Sequence, residues 1–183
     1  MRVIAGTARR LILDTPKGLA TRPTTDRIKE TLFNIINNEL PGANFLDLFA
    51  GSGAIGIEAL SRGCKSAVFV ENNREALACI GENLRRTKLL GAAKIMPMDV
   101  AGALACLKDG PPFDIIFMDP PYREGLPKKV LGMLAESNAC GGDTLVIFEE
   151  ALGEETAFVT ECGFYVVREK CYNTNKHIIL KKK

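Results

Sequence analysis

The chain has 183 residues, of which 46% are hydrophobic and 25% are charged, and its net charge is +2. This composition suits one folded domain and excludes a wholly disordered chain. No apolar run approaches the roughly 18 residues that a membrane span needs. The residues after Met1 do not form a hydrophobic leader, so neither a membrane protein nor a secreted protein is expected.

The six cysteines lie far apart, and no two of them form a Cys-x-x-Cys pair. This spacing argues against a zinc site and against a disulfide framework, and it fits a reducing cytoplasm. Because the chain has one histidine and no tryptophan, it is poorly equipped for histidine-based catalysis or a histidine-rich metal centre. The sequence therefore predicts no metal site.

The charge is distributed unevenly along the chain. Residues 1–29 carry seven Lys/Arg and two Asp, a net charge of +5, and residues 168–183 carry six Lys/Arg and one Glu, again +5. Residues 30–167 carry eleven basic and nineteen acidic residues, a net charge of −8. Basic segments suit phosphate contacts. The pattern favours such a role for the N-terminal arginines, whereas the three C-terminal lysines are more typical of a solvated tail.

Short apolar stretches alternate with helix-length segments along most of the chain. Strands are predicted at residues 3–5, 11–13, 45–49, 67–70, 94–98, 113–118, 144–148, 164–168 and 177–180. Helices are predicted between residues 24 and 40 and at 54–62, 74–88, 100–108 and 126–136. This alternation predicts an α/β fold with a parallel sheet covered on both faces. The last two strands have no helix between them, which predicts an antiparallel hairpin at the sheet edge.

The first motif that indicates chemistry is a glycine loop after the strand at residues 45–49. Gly51, Gly53 and Gly56 form a Gly-x-Gly-x-x-Gly pattern that lets the backbone approach a ligand closely. Glu71 follows Gly51 by twenty positions and ends the next strand, where its carboxylate can accept both ribose hydroxyls of an adenosine-containing ligand. These features alone fit a nicotinamide dinucleotide and S-adenosylmethionine (SAM) equally well.

Asp47, just before the glycines, favours SAM over a dinucleotide. A pyrophosphate binds free N–H groups at a helix N-terminus, and a neighbouring carboxylate would repel it. SAM has no phosphate and carries an ammonium and a sulfonium, both of which an acidic loop attracts. Asp99 follows the third strand and is placed to accept the adenine amino group, although a helix N-cap is nearly as good an interpretation.

The second motif, Asp119-Pro120-Pro121-Tyr122, ends the fourth strand, at the sheet edge where ligands bind in such folds. The two prolines stiffen the backbone and leave carbonyls without local N–H partners. Asp119 and a proline carbonyl can then accept both hydrogens of a planar exocyclic amino group. This frees the nitrogen lone pair for in-line attack on the sulfonium methyl.

In this scheme Asp119 stabilises charge, and an ordinary carboxyl pKa near 4 is sufficient for that role. Tyr122 offers an aromatic face on which the target base can stack, a contact that contributes roughly 1–3 kcal/mol. The rate would come mainly from orientation and electrostatics, without a metal.

Several segments together resemble a known family. Residues 47–53, 58–63, 71–72 and 119–122 look like those of class I SAM-dependent amino-methyltransferases. Residues 3–6, 21–27 and 30–34 are similar to the RsmD family, whose members methylate the N2 amino group of one guanine in 16S ribosomal RNA. The resemblance covers nearly the whole chain.

The resemblance implies a Rossmann-like fold with a mainly parallel seven-stranded sheet, a C-terminal antiparallel hairpin and a small N-terminal hairpin–helix extension. Residues 1–40 would form this extension and cap the substrate or SAM, and residues 41–183 would form the methyltransferase domain. The catalytic residues would be Asp119, Pro120, Pro121 and Tyr122. The SAM pocket would contain Asp47, Phe49, Gly51, Gly53, Glu71, Asn72, Asp99 and Val100. The RNA contacts would come from Arg9, Arg10, Arg22 and Arg123.

The resemblance also implies the partners of the chain. They are SAM, its product S-adenosylhomocysteine, and 16S ribosomal RNA, either free or within a small-subunit particle. The expected state is a cytoplasmic monomer that does not contact a membrane.

Three other functions stay open at this point. A DNA adenine-N6 or cytosine-N4 methyltransferase would use the same motif, because Asp-Pro-Pro-Tyr fits any exocyclic amine. A nicotinamide-dependent oxidoreductase would use the glycine loop, although no Tyr-x-x-x-Lys proton donor is evident. A non-catalytic RNA-binding module is the weakest alternative.

Overall fold

A computed structural model gives the structure of residues 1–16, 26–121, 125–154 and 156–183. Its helices are α1 (Asp26–Ile35), α2 (Ala54–Ser61), α3 (Arg74–Thr87), α4 (Val100–Leu107), α5 (Leu126–Glu136) and α6 (Phe158–Glu161). Its strands are β1 (Asn44–Asp47), β2 (Ser66–Glu71), β3 (Ala93–Pro97), β4 (Ile115–Met118), β5 (Leu145–Ala151), β6 (Phe164–Cys171) and β7 (Asn175–Lys182). Short 3₁₀ turns at Asn37–Glu39 and Leu90–Ala92 complete these elements.

The seven strands form one sheet in the order β3-β2-β1-β4-β5-β7-β6. The five strands from β1 to β5 run parallel, and β7 pairs antiparallel with both β5 and β6. The chain order reverses between β1 and β4, which is the point where open α/β sheets bind ligands at the carboxyl ends of their strands. The predicted Rossmann-like sheet with a C-terminal antiparallel hairpin is thus confirmed.

Hydrophobic cores cover both faces of the sheet, because alternate strand residues point to opposite sides. One core joins the sheet to α1, α2 and α3 and includes Phe45, Ile57 and Ile80. The other joins it to α4, α5 and α6 and includes Leu46, Leu104 and Leu131. The parallel strands read as continuous apolar runs because both faces are buried. Among the described elements, no helix combines the length and apolarity needed to cross a bilayer.

The C-terminal hairpin is longer than the sequence pattern predicts. Strand β6 extends to Cys171 and β7 begins at Asn175, so the turn between the two strands has three residues, fewer than the predicted strands at 164–168 and 177–180 leave between them. Strand β6 is an exposed edge strand after its first residue, and polar side chains on such a strand hide its periodicity. Helix α6 was also not predicted, because a single helical turn is too short to show a period.

The described part of the N-terminal segment packs against α2, where a buried carboxylate holds it. Arg2 and Ile12 form an isolated antiparallel bridge, so the strands predicted at residues 3–5 and 11–13 are reduced to this one bridge of a hairpin. Glu58 of α2 accepts hydrogen bonds from the backbone N–H groups of Ile4 (2.8 Å) and Ala5 (3.0 Å). Its side chain also pairs with the buried ammonium of Lys29 at 3.1 Å. Burial lowers the pKa of Lys29, and the Glu58 charge opposes that change.

Candidate functional site

A cavity of about 1650 Å³ opens at the carboxyl ends of the central strands. Its volume exceeds the roughly 300–1,000 Å³ of a typical small-molecule site, so it has room for a nucleoside cofactor and a second substrate. The structure brings nearly all of the predicted site residues that it describes to this cavity. They are Asp47, Phe49, Gly51, Glu71, Asn72, Asp99, Val100, Asp119, Pro120 and Pro121.

Gly53 does not line the cavity. It shapes the turn from the loop into helix α2. It is the N-cap residue of α2 with a φ of 79°, a left-handed conformation that favours glycine. Gly56, in the first turns of α2, permits a close approach instead. A Cβ at this position would lie 2.4 Å from the Phe69 ring of β2. The third glycine of the motif therefore packs the helix against the sheet.

Glu71 holds the glycine loop in place. Its Oε2 accepts a hydrogen bond from the Gly51 N–H at 2.8 Å. Its Oε1 accepts from the N–H groups of Asn72 (2.9 Å) and Asn73 (2.8 Å). A carboxylate offers about four acceptor positions, so the three bonds leave room for one further donor. Glu71 is thus prepared to accept one ribose hydroxyl without losing a bond to the loop.

Asp47 is a buried carboxylate with one unpaired oxygen. Its Oδ2 accepts from the Gly56 N–H at 3.2 Å, whereas Oδ1 is buried without a hydrogen bond of ordinary geometry to any described residue. Burial raises the pKa of Asp47 to about 7, and the N–H groups of Gly56 and Phe49 partly oppose that shift. A buried, unpaired carboxylate oxygen is costly unless a ligand satisfies it. The arrangement fits a cationic ligand such as the ammonium group of SAM.

Asp99 has the N-cap geometry that the sequence left open as an alternative. Its Oδ1 accepts from the Gly102 N–H at 2.8 Å at the start of α4. The side chain is exposed at the cavity, so its other oxygen stays accessible to a ligand. Val100 is buried beside it, and Phe49 is half-buried on the same cavity wall.

Asp119 lies at the carboxyl end of β4, directly after Met118, which pairs with Phe148 of β5. Pro120 is buried and Pro121 is exposed, so the corner turns from the core towards the cavity. Continuing the alternation of β4 places the Asp119 side chain on the same face of the sheet as Phe117. Asp47 shares that face, because it pairs with Phe117 in register.

The carboxyl group of Asp119 is more basic than the sequence suggested. Burial, followed by the nearby charges of Glu149, Asp47 and Glu150, raises its pKa to about 8. The sequence could not indicate this raised pKa, because it shows neither the desolvation of Asp119 nor the carboxylates brought close from distant parts of the chain. A cationic ligand in the cavity would favour the ionised forms of these groups.

Four residues that the sequence did not single out extend the site to the C-terminal hairpin. Glu149 accepts a hydrogen bond from the amide Nδ2 of Asn175, and its Oε2 lies 3.0 Å from Nε2 of His177. The hydroxyl of Tyr172 lies 3.1 Å from Nδ1 of His177. Burial, followed by the charge of Glu149, raises the pKa of Tyr172 to about 12. Glu149, Tyr172 and Asn175 line the cavity.

The sequence did contain a signal for Glu149. This residue directly follows the apolar strand predicted at 144–148, and that position places it at the ligand-binding edge of the sheet. Tyr172 and Asn175 gave no such signal, since only the antiparallel pairing of β7 with β5 brings them to this edge. The N-terminal segment also contributes Arg27, Ile28 and other α1 residues to the cavity wall.

The predicted RNA contacts are placed only in part. Arg9 and Arg10 are exposed and form no ion pair with a described residue. They lie in the N-terminal hairpin, whose turn bonds to Ser61 at the C-terminal end of α2, and they do not line the cavity. Arg22, Tyr122 and Arg123 lie outside the described residues. Within the described ranges, no group of His, Cys, Asp and Glu side chains has the arrangement of a metal site.

Comparison with known proteins gives the family. A family model described as "Conserved hypothetical protein 95" matches residues 1–181. The ribosomal RNA small subunit methyltransferase D of Escherichia coli K12 is 36% identical to the chain over 170 residues, which are 93% of this chain and 84% of that protein. This chain belongs to the RsmD family.

Two further similar proteins support the assignment. The rRNA methyltransferase YlbH of Bacillus subtilis is 40% identical over 150 residues, which cover 81% of this chain and 82% of that protein. The solved structure of the Escherichia coli protein yhhF is 34% identical, has a TM-score of 0.86, and matches 100% of this chain and 98% of its own. The fold is accordingly that of a class I methyltransferase.

Proposed function

We propose that the chain transfers a methyl group from SAM to the N2 amino group of a guanine in 16S ribosomal RNA. The observation that carries the proposal is the position of Asp119 and Pro120, which lie in the same cavity as the glycine loop and Glu71. The relative named ribosomal RNA small subunit methyltransferase D supports small-subunit RNA as the substrate.

The cofactor half of the cavity fits SAM. Asp47 offers its unpaired oxygen to a cation, Glu71 offers one acceptor position to a ribose hydroxyl, and Asp99 offers its free oxygen to the adenine amino group. When bound there, SAM supplies an electrophilic methyl carbon on a positively charged sulfur. S-adenosylhomocysteine is the corresponding product, and the scheme requires no metal.

The catalytic corner acts on the amino group of the base. The Asp119 carboxylate and the Pro120 carbonyl accept its two N–H hydrogens, so the nitrogen lone pair is directed at the methyl carbon. Tyr122 is proposed to stack on the base, and Pro121 to keep the corner rigid. Because burial raises the pKa of Asp119 to about 8, this group holds a proton released by the amine better than an ordinary carboxylate does.

The buried carboxyl group of Asp47 disfavours the oxidoreductase alternative. It lies beside the glycine loop, where the pyrophosphate of a dinucleotide would have to bind, whereas Glu71 fits either cofactor. DNA methylation requires an amine of adenine or cytosine, whereas the Escherichia coli relative is named as a ribosomal RNA methyltransferase, which favours ribosomal RNA as the substrate.

The N-terminal segment is proposed to cap the site and to contact RNA. Residues of α1 line the cavity, which supports the first role for residues 1–40. The exposed Arg9 and Arg10 support the second, because guanidinium groups without protein partners are free to pair with phosphates. Arg22 and Arg123 are proposed for the same contacts on their charge alone. We further propose that the protein acts as a monomer.

The function is tested by methyl transfer from labelled SAM to four substrates: unmodified 16S ribosomal RNA, small-subunit particles that contain it, duplex DNA and single-stranded DNA. Mass spectrometry of the digested product identifies the methylated nucleoside. We expect N2-methylguanosine from one or both RNA substrates and no product from DNA. A methylated adenine or cytosine, or transfer to DNA alone, would contradict the proposal.

A further inference from the structure

Two buried side-chain oxygens of the described residues have no hydrogen-bond partner, and both belong to residues that line the same cavity. They are Oδ1 of Asp47 and Oδ1 of Asn175. Buried acceptors are nearly always paired in folded proteins, so two exceptions in one cavity indicate two donors supplied by ligands. The cationic end of SAM accounts for Asp47 but not for Asn175.

Asn175 lies on the opposite side of Asp119 from the glycine loop. In the sheet, β1 carries Asp47, β4 next to it leads into Asp119, and β7 with Asn175 is two strands further. Since neighbouring strands are about 4.8 Å apart, β7 lies roughly 10 Å beyond β4. Asn175 therefore lies on the side of Asp119 away from the glycine loop, which is the side that the proposed scheme leaves for the methyl acceptor.

The pairing of β5 with β7 places Asn175 on the same sheet face as the catalytic corner. Glu149 pairs with His177 across the two strands, and Asn175 lies two residues before His177, so all three side chains share one face. The ring of His177 contacts Phe117 of β4, with the two centroids 6.1 Å apart, and this contact identifies the face as that of Asp119.

The orientation of the Asn175 amide is fixed by a chain of polar contacts. Its Nδ2 donates to Oε1 of Glu149, so the amide cannot turn over without placing two oxygens against each other. Glu149 is in turn held by His177, and His177 by the hydroxyl of Tyr172. Asn175 is 6% exposed. Asn175 thus contributes a fixed hydrogen-bond acceptor, its Oδ1, to the cavity wall, and not a donor.

An acceptor at this place distinguishes guanine from the other bases that carry an amino group. Beside its N2 amine, guanine has an N1–H donor. Beside their amines, adenine has the N1 lone pair and cytosine the N3 lone pair, which would face the Asn175 oxygen unfavourably. We propose that Asn175 is a specificity-determining residue that accepts the N1–H of the target guanine while Asp119 and Pro120 hold its N2 amine. This inference rests on the proposed function and adds the group that selects the base.

The test compares guanine with 2-aminopurine at the mapped target position of a synthetic RNA segment that the wild-type enzyme methylates. The analogue keeps the amine at C2 but lacks the N1–H. Leaving a buried acceptor unpaired predicts that wild type prefers guanine by about 10- to 100-fold in kcat/KM. Asn175→Leu is nearly isosteric and lacks the acceptor. It should therefore lower this preference to within a few-fold of unity, chiefly by reducing kcat/KM for the RNA that contains guanine.

The matched control is Asn38→Leu, an exposed asparagine outside the cavity, which should keep the wild-type preference. Binding of S-adenosylhomocysteine, measured by calorimetry, shows that each variant is folded, and Asn175→Ala replaces the leucine variant if that one is not. A wild type without a preference, or an Asn175 variant that keeps the full preference, overturns the role of Asn175. A wild type that forms no N2-methylguanosine from small-subunit RNA overturns the proposed function itself.

Discussion

The two halves of the cavity are built in different ways. In the half formed by β1, β2 and β3, the carboxylates accept hydrogen bonds from the backbone of the cavity loops, as Glu71 does from Gly51 and Asp99 from Gly102. In the half formed by β4, β5 and β7, carboxyl groups from separate strands face each other, and the pKa of Asp119 is raised to about 8. Apart from Asp47, whose pKa is raised to about 7 by burial, the first half is a preformed binding surface, whereas the second holds carboxyl groups in an electrostatically unfavourable arrangement that a ligand can relieve.

The largest expected effect comes from removing the charge of the catalytic corner. Asp119→Asn should lower kcat/KM for the RNA by about 1,000-fold, because a neutral amide oxygen accepts the amine hydrogen more weakly than a carboxylate and cannot take up the released proton. The affinity for S-adenosylhomocysteine should stay within a few-fold of wild type. Activity assays and calorimetry check the two halves of this prediction, with the exposed Asp109→Asn as the matched control. Equal losses of turnover and of cofactor affinity would erase the distinction between the halves.

A change in the cofactor half should affect binding first. Glu71→Ala removes the acceptor for three backbone N–H groups and should weaken binding of S-adenosylhomocysteine by about 10- to 100-fold. The kcat at saturating SAM should fall much less, because the catalytic corner is intact. Glu75→Ala, at an exposed position in the first turn of α3, is the control. An unchanged dissociation constant would show that Glu71 does not organise the loop for the ligand.

The third glycine of the loop motif should matter for stability. Gly56→Ala places a methyl group 2.4 Å from the Phe69 ring, and overpacking of this kind costs about 1–3 kcal/mol. Gly132→Ala in α5 meets no atom within 4 Å, so it should be neutral or stabilise the protein by up to about 1 kcal/mol. Thermal unfolding of both variants measures the difference. A Gly56 variant as stable as the Gly132 variant would contradict the packing role.

The smallest expected effect is a pH-dependent gain in stability for the ligand-free protein. A carboxyl group whose pKa is raised on folding destabilises the folded state as the pH rises from about 4 to about 8, because the buried group must then ionise. Asp119→Asn avoids that cost, so its Tm should exceed that of wild type by about 5 °C at pH 9 and by about 1 °C at pH 5. Differential scanning calorimetry across this range provides the test. A difference that does not grow with pH would mean that neither burial nor the neighbouring carboxylates raise the pKa of Asp119.

The contrast between the halves also explains what could be read from the sequence. The glycine loop, Asp47 and Glu71 were predicted because each contact lies within one or two strand–helix turns. Asp119 was predicted from its motif, but its raised pKa was not, because that depends on Glu149 from another strand. Asn175 and Tyr172 reach the site only through the long antiparallel pairing of β7 with β5, which no local pattern encodes.

The central claim is that the Asp119 corner methylates the N2 amine of a guanine in small-subunit RNA. It is tested most directly by digesting 16S ribosomal RNA after reaction with the wild type and with Asp119→Asn, and by identifying the methylated nucleoside in each. We predict N2-methylguanosine at one position with wild type and a trace at most with the variant. Methylation of another base, or the same yield from both proteins, would contradict the account.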